Sequence, residues 1–373
     1  MTTAPTLEGA TLEVDQLLEA ICAALQITPT QFELAKGHYE AVGDWLSKPD
    51  SPLAQSRPHI YPQGSMALRT TTRPRGREEY DLDMVLQVEP TSSDPMDLYR
   101  RVEERLRAHR DYAGRLEKKR RCLRLSYEHQ FHLDILPARR DDRRGGTCIE
   151  VPDCELRTWK PSNPLGYVKW FEERCEIAQD AFQKREMAPL VQPAPSDLLV
   201  VLRQVVQLLK RRRDNMFFGL ENAPRSVILT TLAALFYEGE PTIIHAMVGI
   251  GKRFEEAVAA AAPRRFRVLN PTNPSEDFSE SWDDSTTYEE FVRFVQVVRT
   301  EFATLLQIKG LDHLGALLDD MFGDQLGQAA VRAFLQRIRD AKDADDLRFR
   351  GPALIIGSER GHRPSPHTFH HGA

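Results

Sequence analysis

The sequence predicts an α/β (α+β) protein in which a sheet-bearing first half is followed by a helical second half. Two observations carry this. Short β-rich runs cluster between residues 84 and 136, and apolar residues keep helical spacing almost without a break from 198 to 342. With 373 residues, 41% of them apolar, the chain is long enough for two domains or one bilobed unit.

Leu12, Val14, Leu17, Leu18, Ile21 and Leu25 recur at helical spacing over 11–26. Thr28-Pro29-Thr30 then predicts a cap and a second helix, with Phe32, Leu34, Tyr39, Val42, Trp45 and Leu46 as its apolar positions and Pro49 and Pro52 as its stop. Strand-like runs follow at 84–88, 123–127 and 131–136, with a charged amphipathic helix over 96–110. The proline-rich MAPLVQPAPSD, 187–197, marks the expected boundary. Ser196 is expected to cap a helix bearing Leu198, Val201, Leu202, Val205, Leu208 and Leu209. Pro224 opens another, which Gly239 ends, and three more are predicted near 287–308, 311–322 and 326–342. The expected division is 1–190, 191–345 and a tail, 346–373, whose last stretch is rich in Gly, His, Pro and Ser and is expected to be flexible.

No apolar run approaches the roughly 18 residues that cross a bilayer, and no basic segment followed by a hydrophobic stretch opens the chain. Five cysteines without regular spacing suit a reducing compartment, so a cytoplasmic protein with no membrane partner is expected. The net charge is −5, yet basic residues cluster as KKRRCLR (118–124), ARRDDRR (138–144) and KRRRD (210–214). A basic excess over a whole domain would point to a duplex, and no stable nucleic-acid partner is expected here. Local positive charge on an acidic chain suits a confined polyanion, although any one run reads more simply as solvated surface.

The chemistry is written in YPQGSMALRTTTRPRGREEYDLDMVLQV, residues 61–88. Asp81 and Asp83 stand two apart on a strand, so both carboxylates share one face while Leu82 and Met84 point to a core. Paired carboxylates repel unless a cation lies between them, and Mg²⁺ takes such oxygens together with water and phosphate. Asp134, in the strand-like run HQFHLDILPA, would bring a third carboxylate to that surface if its strand lies beside the first. Such a set permits two metal ions about 4 Å apart. Gly64-Ser65 precedes Asp81 by a short spacer, and glycine lets a backbone N–H come close to a phosphate while the serine hydroxyl adds a hydrogen bond. A lone D-x-D is more often a solvated strand edge and a lone Gly-Ser an ordinary turn; the combination carries the reading.

This arrangement resembles the polymerase-β-like nucleotidyltransferase superfamily. The stretches YPQGSMALRTT, REEYDLDMVL, FHLDILPA and SVILTTLAA are similar to the bacterial cGAS/DncV-like nucleotidyltransferases (CD-NTases), which make cyclic oligonucleotide second messengers in the anti-phage systems called CBASS. The resemblance covers most of 10–340. It implies a nucleotidyltransferase core with a mixed sheet and long N-terminal helices, a helical C-terminal lobe, and nucleoside triphosphates such as ATP or GTP bound between them. It implies Mg²⁺, or Mn²⁺, held by Asp81, Asp83 and Asp134 as metal-binding and catalytic residues. Gly64 and Ser65 would hold the β- and γ-phosphates, and Lys210 and Ser226 would grip the same tail, as an ammonium and a helix start can. It also implies CBASS accessory proteins acting on the C-terminal tail. LNPTNPSEDFSESW (269–282) resembles a segment near the family's nucleotide pocket, without assigned roles.

Arg69, Arg73, Arg75 and Arg77 precede the catalytic strand, most of them expected to be exposed. Cys148, Cys154 and Cys175 lack the short paired spacing of a zinc site and are expected to be plain thiols, and the terminal HTFHH reads as tail. Two other functions share these motifs: a polymerase-like transferase acting on RNA, protein or a small molecule, which needs a basic strand-holding groove, and a non-catalytic nucleotide-binding scaffold, which should have lost a carboxylate.

Overall fold

The computed structural model describes residues 7–75, 79–90, 93–127, 131–176, 200–220, 222–283, 285–350 and 353–356. Two helices lead: α1 (Leu7–Ala24) and α2 (Pro29–Ser47). Thr28 caps α2 through a full capping box in which its hydroxyl accepts from Gln31 N and the Gln31 side chain accepts from Thr28 N, as the Thr-Pro-Thr signal predicts. Then come β1 (His59–Gln63), the single turn α3 (Gly64–Ala67), β2 (Tyr80–Val88), α4 (Pro95–Arg107), α5 (Arg110–Ala113), β3 (Leu116–Lys118), β4 (Leu123–Tyr127), β5 (Phe131–Arg140), β6 (Ile149–Asp153) and β7 (Thr158–Ser162). The second half contains α6 (Pro164–Glu176), α7 (Val201–Met216), α8 (Ser226–Phe236), α9 (Ile243–Ala261), the hairpin β8 (Leu269–Asn270) and β9 (Asn273–Asp277), α10 (Ser285–Leu305), α11 (Leu311–Phe322), α12 (Leu326–Asp343) and the hairpin β10 (Leu347–Arg350) and β11 (Ala353–Ile356).

Seven strands form one mixed sheet in the order β1-β2-β5-β4-β3, with β6 joining the far end of β5 and β7 pairing β6. Only β2 and β5 run parallel, with Leu82 level with Leu133, Asp83 with Asp134 and Met84 with Ile135. The crossover between them is α4, α5 and the β3–β4 hairpin. Strand alternation divides the two faces. Leu82, Met84, Leu86, Leu123, Leu125, Leu133 and Ile135 are buried against Val42 and Leu46 of α2 and Leu98, Val102 and Leu106 of α4. The opposite face carries the acids.

A second, larger core gathers α7 to α12, with Leu202, Val205, Leu209, Leu232, Ile250, Phe294, Phe302 and Leu318 at its centre. Val14, Leu17, Leu18, Ile21 and Leu25 of α1 belong to this core, where α1 packs on α12 and α9. So does Phe171 of α6. The helices expected near 287–308, 311–322 and 326–342 are α10, α11 and α12.

Several elements were not anticipated. The helix expected from Ser196 runs as α7 from Val201; Ser196 and the boundary segment 187–197 lie outside the described residues. Pro224 stands ahead of the N-cap Arg225 and does not open α8 itself. Helix α9 escaped notice because Gly249 and Gly251 interrupt its pattern; Gly251 faces α10, where a Cβ would stand 3.4 Å from the Arg299 backbone. The tail expected from 346 begins as a hairpin, in which Leu347 pairs with Ile356 and Phe349 with Leu354; alternation over so few residues gives little signal. Residues 357–373, including HTFHH, lie outside the described residues.

Asn163 joins the halves at the sheet's edge. Its side-chain oxygen accepts from Thr147 Oγ1 at 2.7 Å and Gly166 N at 3.1 Å, and its amide donates to Thr272 O of the β8–β9 hairpin at 3.1 Å. The residue is buried. Asn163→Ala removes three hydrogen bonds made by one buried side chain and should lower unfolding free energy by about 2 kcal/mol in chemical denaturation; an unchanged midpoint would show that water replaces the amide at no cost.

Candidate active site

The carboxylates lie where strand geometry sends them. Asp81 and Asp83 share the open face of β2, and Asp134 stands beside Asp83 on the parallel neighbour β5. On the other flank β1 pairs Gln63 with Asp83, and the chain turns sharply at Gly64, whose φ is +62°. A Cβ there would collide with the Asp83 carboxylate, so a residue other than glycine is barred both by backbone conformation and by space. Sequence reading placed Gly64 and Asp83 in one motif; the structure brings them into contact.

The loop after Gly64 is tied down by α7. Ser65 Oγ hydrogen-bonds Thr71 Oγ1 at 3.1 Å, and Ser65 O accepts from Thr70 N at 2.9 Å. Lys210 Nζ donates to Thr70 O at 2.8 Å, and Gln207 Nε2 to Thr71 O at 3.1 Å. Lys210 is only 7% exposed, so it is not a solvated surface lysine. Burial, then the nearby Arg213, pull its pKa down to about 8 against the opposing pull of Asp214, Asp83 and Asp81. Ser226 is the first residue of α8, and its hydroxyl accepts from Arg213 Nη1.

These residues line one cavity of about 470 Å³ between the sheet and the helical half. Gly64, Ser65, Asp81, Asp83, Lys210 and Ser226 are all on its wall. Asp134 stands beside that wall, on β5. The cavity's other end is formed by Ser162, Tyr167, Asn270, Glu276 and Phe278. Glu276 accepts from Asn270 Nδ2 at 2.8 Å and from Ser162 Oγ at 3.0 Å, and burial holds its carboxyl above the ordinary range. Tyr167 is buried, bonds Thr231 Oγ1 at 2.8 Å, and meets Phe278 edge-on at 5.8 Å.

Arg124 is the neighbour that motif reading missed. Strand β4 sets it opposite Asp134, and its guanidinium takes that carboxylate in a two-pronged grip, Nε to Oδ1 at 2.7 Å and Nη2 to Oδ2 at 2.8 Å. Nη2 also reaches Asp81 Oδ1 at 3.2 Å. Among the described residues no group of three Asp, Glu, His or Cys side chains has gathered closely enough to hold a metal ion. The donor set nevertheless suits a hard divalent cation: all-oxygen, on adjacent strands, with burial, Asp81 and Asp134 pushing the Asp83 pKa up to about 7. The only available signal for Arg124 was its place in a basic run.

The basic runs are largely paired with carboxylates, and 210–213 is mostly buried, whereas Arg140, Arg143 and Arg144 of the second run are exposed. Arg120 and Arg121 pair with buried Asp153, Arg139 with Glu150, Arg144 with Asp141, Arg211 with Asp324 and Arg212 with Glu301. Of KRRRD, Lys210, Arg213 and Asp214 line the cavity. Arg75 faces the helical half, pairing with Asp324 at 3.5 Å and lying over the Phe218 ring at 4.4 Å. Cys148, Cys154 and Cys175 are free thiols. No helix among the described residues is long and apolar enough to cross a membrane.

The chain is similar to known proteins over most of its length. Residues 12–175 match the Second Messenger Oligonucleotide or Dinucleotide Synthetase domain. A c-di-GMP synthase of Roseivirga ehrenbergii is 34% identical over 347 residues, covering 90% of this chain and 90% of that protein. The cyclic dinucleotide synthase CdnG of Bradyrhizobium diazoefficiens is 28% identical over 358 residues, covering 87% and 84%. The solved structure of that CdnG, a CD-NTase in complex with GTP, superposes with a TM-score of 0.72 at 25% identity over 87% of this chain and 99% of that one. Escherichia coli DncV bound to 3′-deoxy GTP shares the fold, with a TM-score of 0.56 at 18% identity over 87% of this chain and 90% of that one.

Asp83 makes a pH-dependent contribution to stability. Its folded pKa, about 7, lies above the ordinary carboxylate value, so its favourable contribution is complete below about pH 4 and is lost as pH rises through 7. With metal chelated, Asp83→Asn should melt roughly 2–4 °C above the wild type at pH 8, the gain shrinking to nothing near pH 4. A gain independent of pH would mean that repulsion at Asp83 is not its source.

Proposed function

We propose, from the premise that this chain belongs to the cGAS/DncV-like nucleotidyltransferases, the enzymes that synthesise cyclic oligonucleotides, that it joins two GTP molecules into a cyclic dinucleotide. The observation that carries the chemistry is the register of β2 and β5, which sets Asp81, Asp83 and Asp134 on one open face beside a cavity with a buried lysine. Each of two successive steps joins a ribose hydroxyl to an α-phosphorus, breaks the α–β phosphoanhydride bond and releases pyrophosphate. Gly64 and Ser65 position the β- and γ-phosphates, and Lys210 and Ser226 hold the same tail from the helical side. Asp81 and Asp83 would hold Mg²⁺ or Mn²⁺, with Asp134 completing the set on the attacking side and taking part in activating the hydroxyl. When bound, the ion supplies positive charge to the phosphates and makes the attacking hydroxyl more acidic.

Guanine selection rests on Glu276. Guanine presents two adjacent donors, N1–H and the N2 amine, which one carboxylate accepts together; adenine offers an acceptor at N1 and rejects it. Glu276 already accepts from Asn270 and Ser162 in the cavity, and Tyr167 and Phe278 supply apolar surface there. The relative 34% identical to this chain is named a c-di-GMP synthase. A soluble second messenger in CBASS anti-phage defence is the setting that family membership supports, with accessory proteins acting on the C-terminal tail.

Incubation with labelled GTP, ATP and Mg²⁺, followed by phosphatase treatment, should leave a resistant cyclic product built from GTP alone. Asp81→Asn with Asp83→Asn should abolish it while the protein stays folded, and Glu276→Gln should reduce the preference for GTP over ATP at least tenfold, as loss of a matched hydrogen-bond pair does. Products extended from an RNA primer would overturn the assignment.

Lys210 makes nucleotide affinity pH-dependent. Its ammonium is charged below about pH 8 and lost above it, so GTP affinity in the absence of metal should fall as pH rises from 8 to 9. Lys210→Ala should bind about tenfold more weakly at pH 7 and lose this decline. An equal decline in both proteins would assign the titration elsewhere.

A further inference from the structure

We propose that Arg124 is a placeholder for the divalent cation: its guanidinium neutralises the carboxylate face of the empty enzyme and must leave Asp134 before metal enters, so that metal and triphosphate load together. The inference rests on the metal-site reading above and extends it to the order of loading.

The geometry is specific. Arg124 lies directly across the antiparallel β4–β5 pair from Asp134, so no long side-chain excursion is needed to reach it. Both Asp134 oxygens are engaged, at 2.7 and 2.8 Å, and one Asp81 oxygen is engaged at 3.2 Å. These are two of the three carboxylates assigned to the ions, and a fork on both Asp134 oxygens takes the bidentate edge of that carboxylate and sets a positive charge where the cation would bind. Arginine keeps its charge at any working pH, so protonation cannot release it. Release needs a competitor, and the competitor with the right chemistry is a polyphosphate, which the same fork binds as readily as a carboxylate.

The charge balance favours that order. One guanidinium offsets part of the charge of the three aspartates, so a divalent ion is attracted less strongly than by the unshielded set. A triphosphate entering the cavity adds oxygens for the ion and a new partner for Arg124. By linkage, metal and nucleotide then raise each other's affinity by the same factor. An enzyme built this way holds ions only weakly without substrate.

The test is Mn²⁺ binding, followed by the electron paramagnetic resonance of the free ion, in the wild type, Arg124→Gln and Arg124→Lys, with and without a GTP analogue whose α–β bridge cannot be cleaved. Without nucleotide, Arg124→Gln should bind Mn²⁺ about tenfold more tightly than the wild type, and the factor by which the analogue improves binding should shrink correspondingly. Arg124→Lys, which keeps a charge but not the fork, should fall between the two and serves the comparison if Arg124→Gln does not fold. Equal affinities without nucleotide in wild type and variants overturn the placeholder role alone. Unimpaired binding in Asp81→Asn with Asp83→Asn overturns the metal-site reading and this inference with it.

Discussion

Everything at the site depends on two strands running parallel in one register. The pairing of β2 with β5 is the only parallel pairing in the seven-stranded sheet, and it sets Leu82 beside Leu133 on the buried face and Asp83 beside Asp134 on the open one. A slip of one residue would turn the carboxylates into the core and the leucines into the cleft. Burial of Leu82, Met84, Leu133 and Ile135 against α2 and α4 therefore fixes the position of the acids, although none of those residues touches them by function. The apolar face is what makes the polar face accurate.

Charge is handled in the same economical way. The arginine-rich runs look, in isolation, like solvated surface, yet their guanidinium groups are largely committed to internal carboxylates such as Asp153, Glu150 and Glu301. What remains facing the cavity is a short list: a lysine whose stem is buried and whose head meets a backbone carbonyl, and Arg213, which holds the Ser226 hydroxyl and Asp214. An acidic protein thereby sets two cations, Lys210 and Arg213, among the acids of its pocket, where positive charge counts because water is scarce.

Much of this was legible in the sequence, for reasons that are local. Asp81 and Asp83 follow strand alternation, and the Thr28 cap and the helices from 285 onward follow periodicity and capping rules that act within a few residues. What escaped was non-local. Arg124 reads as one basic residue among many until β4 is known to lie beside β5. Glu276, Asn270 and Ser162 meet only because the β8–β9 hairpin packs on β7. Helix α9 carries two glycines, Gly249 and Gly251, that look like breaks and lie inside a continuous helix. The motif residues could be named from spacing; their partners needed the chain folded.

The first helix gives the architecture a consequence for how the chain can be divided. Helix α1 precedes every strand, yet its apolar stripe is buried with α9 and α12, while α2 returns to the underside of the sheet. The two halves are thus clasped by a segment that starts the chain and finishes the other lobe's interior. Cutting between the sheet and the helices would not yield two self-sufficient pieces, since the first fragment would carry an orphan greasy helix and the second a groove without its filling. Gene fission or domain shuffling at that point is disfavoured, and insertions are better tolerated at surface turns. Lobe and cleft are inherited as one piece.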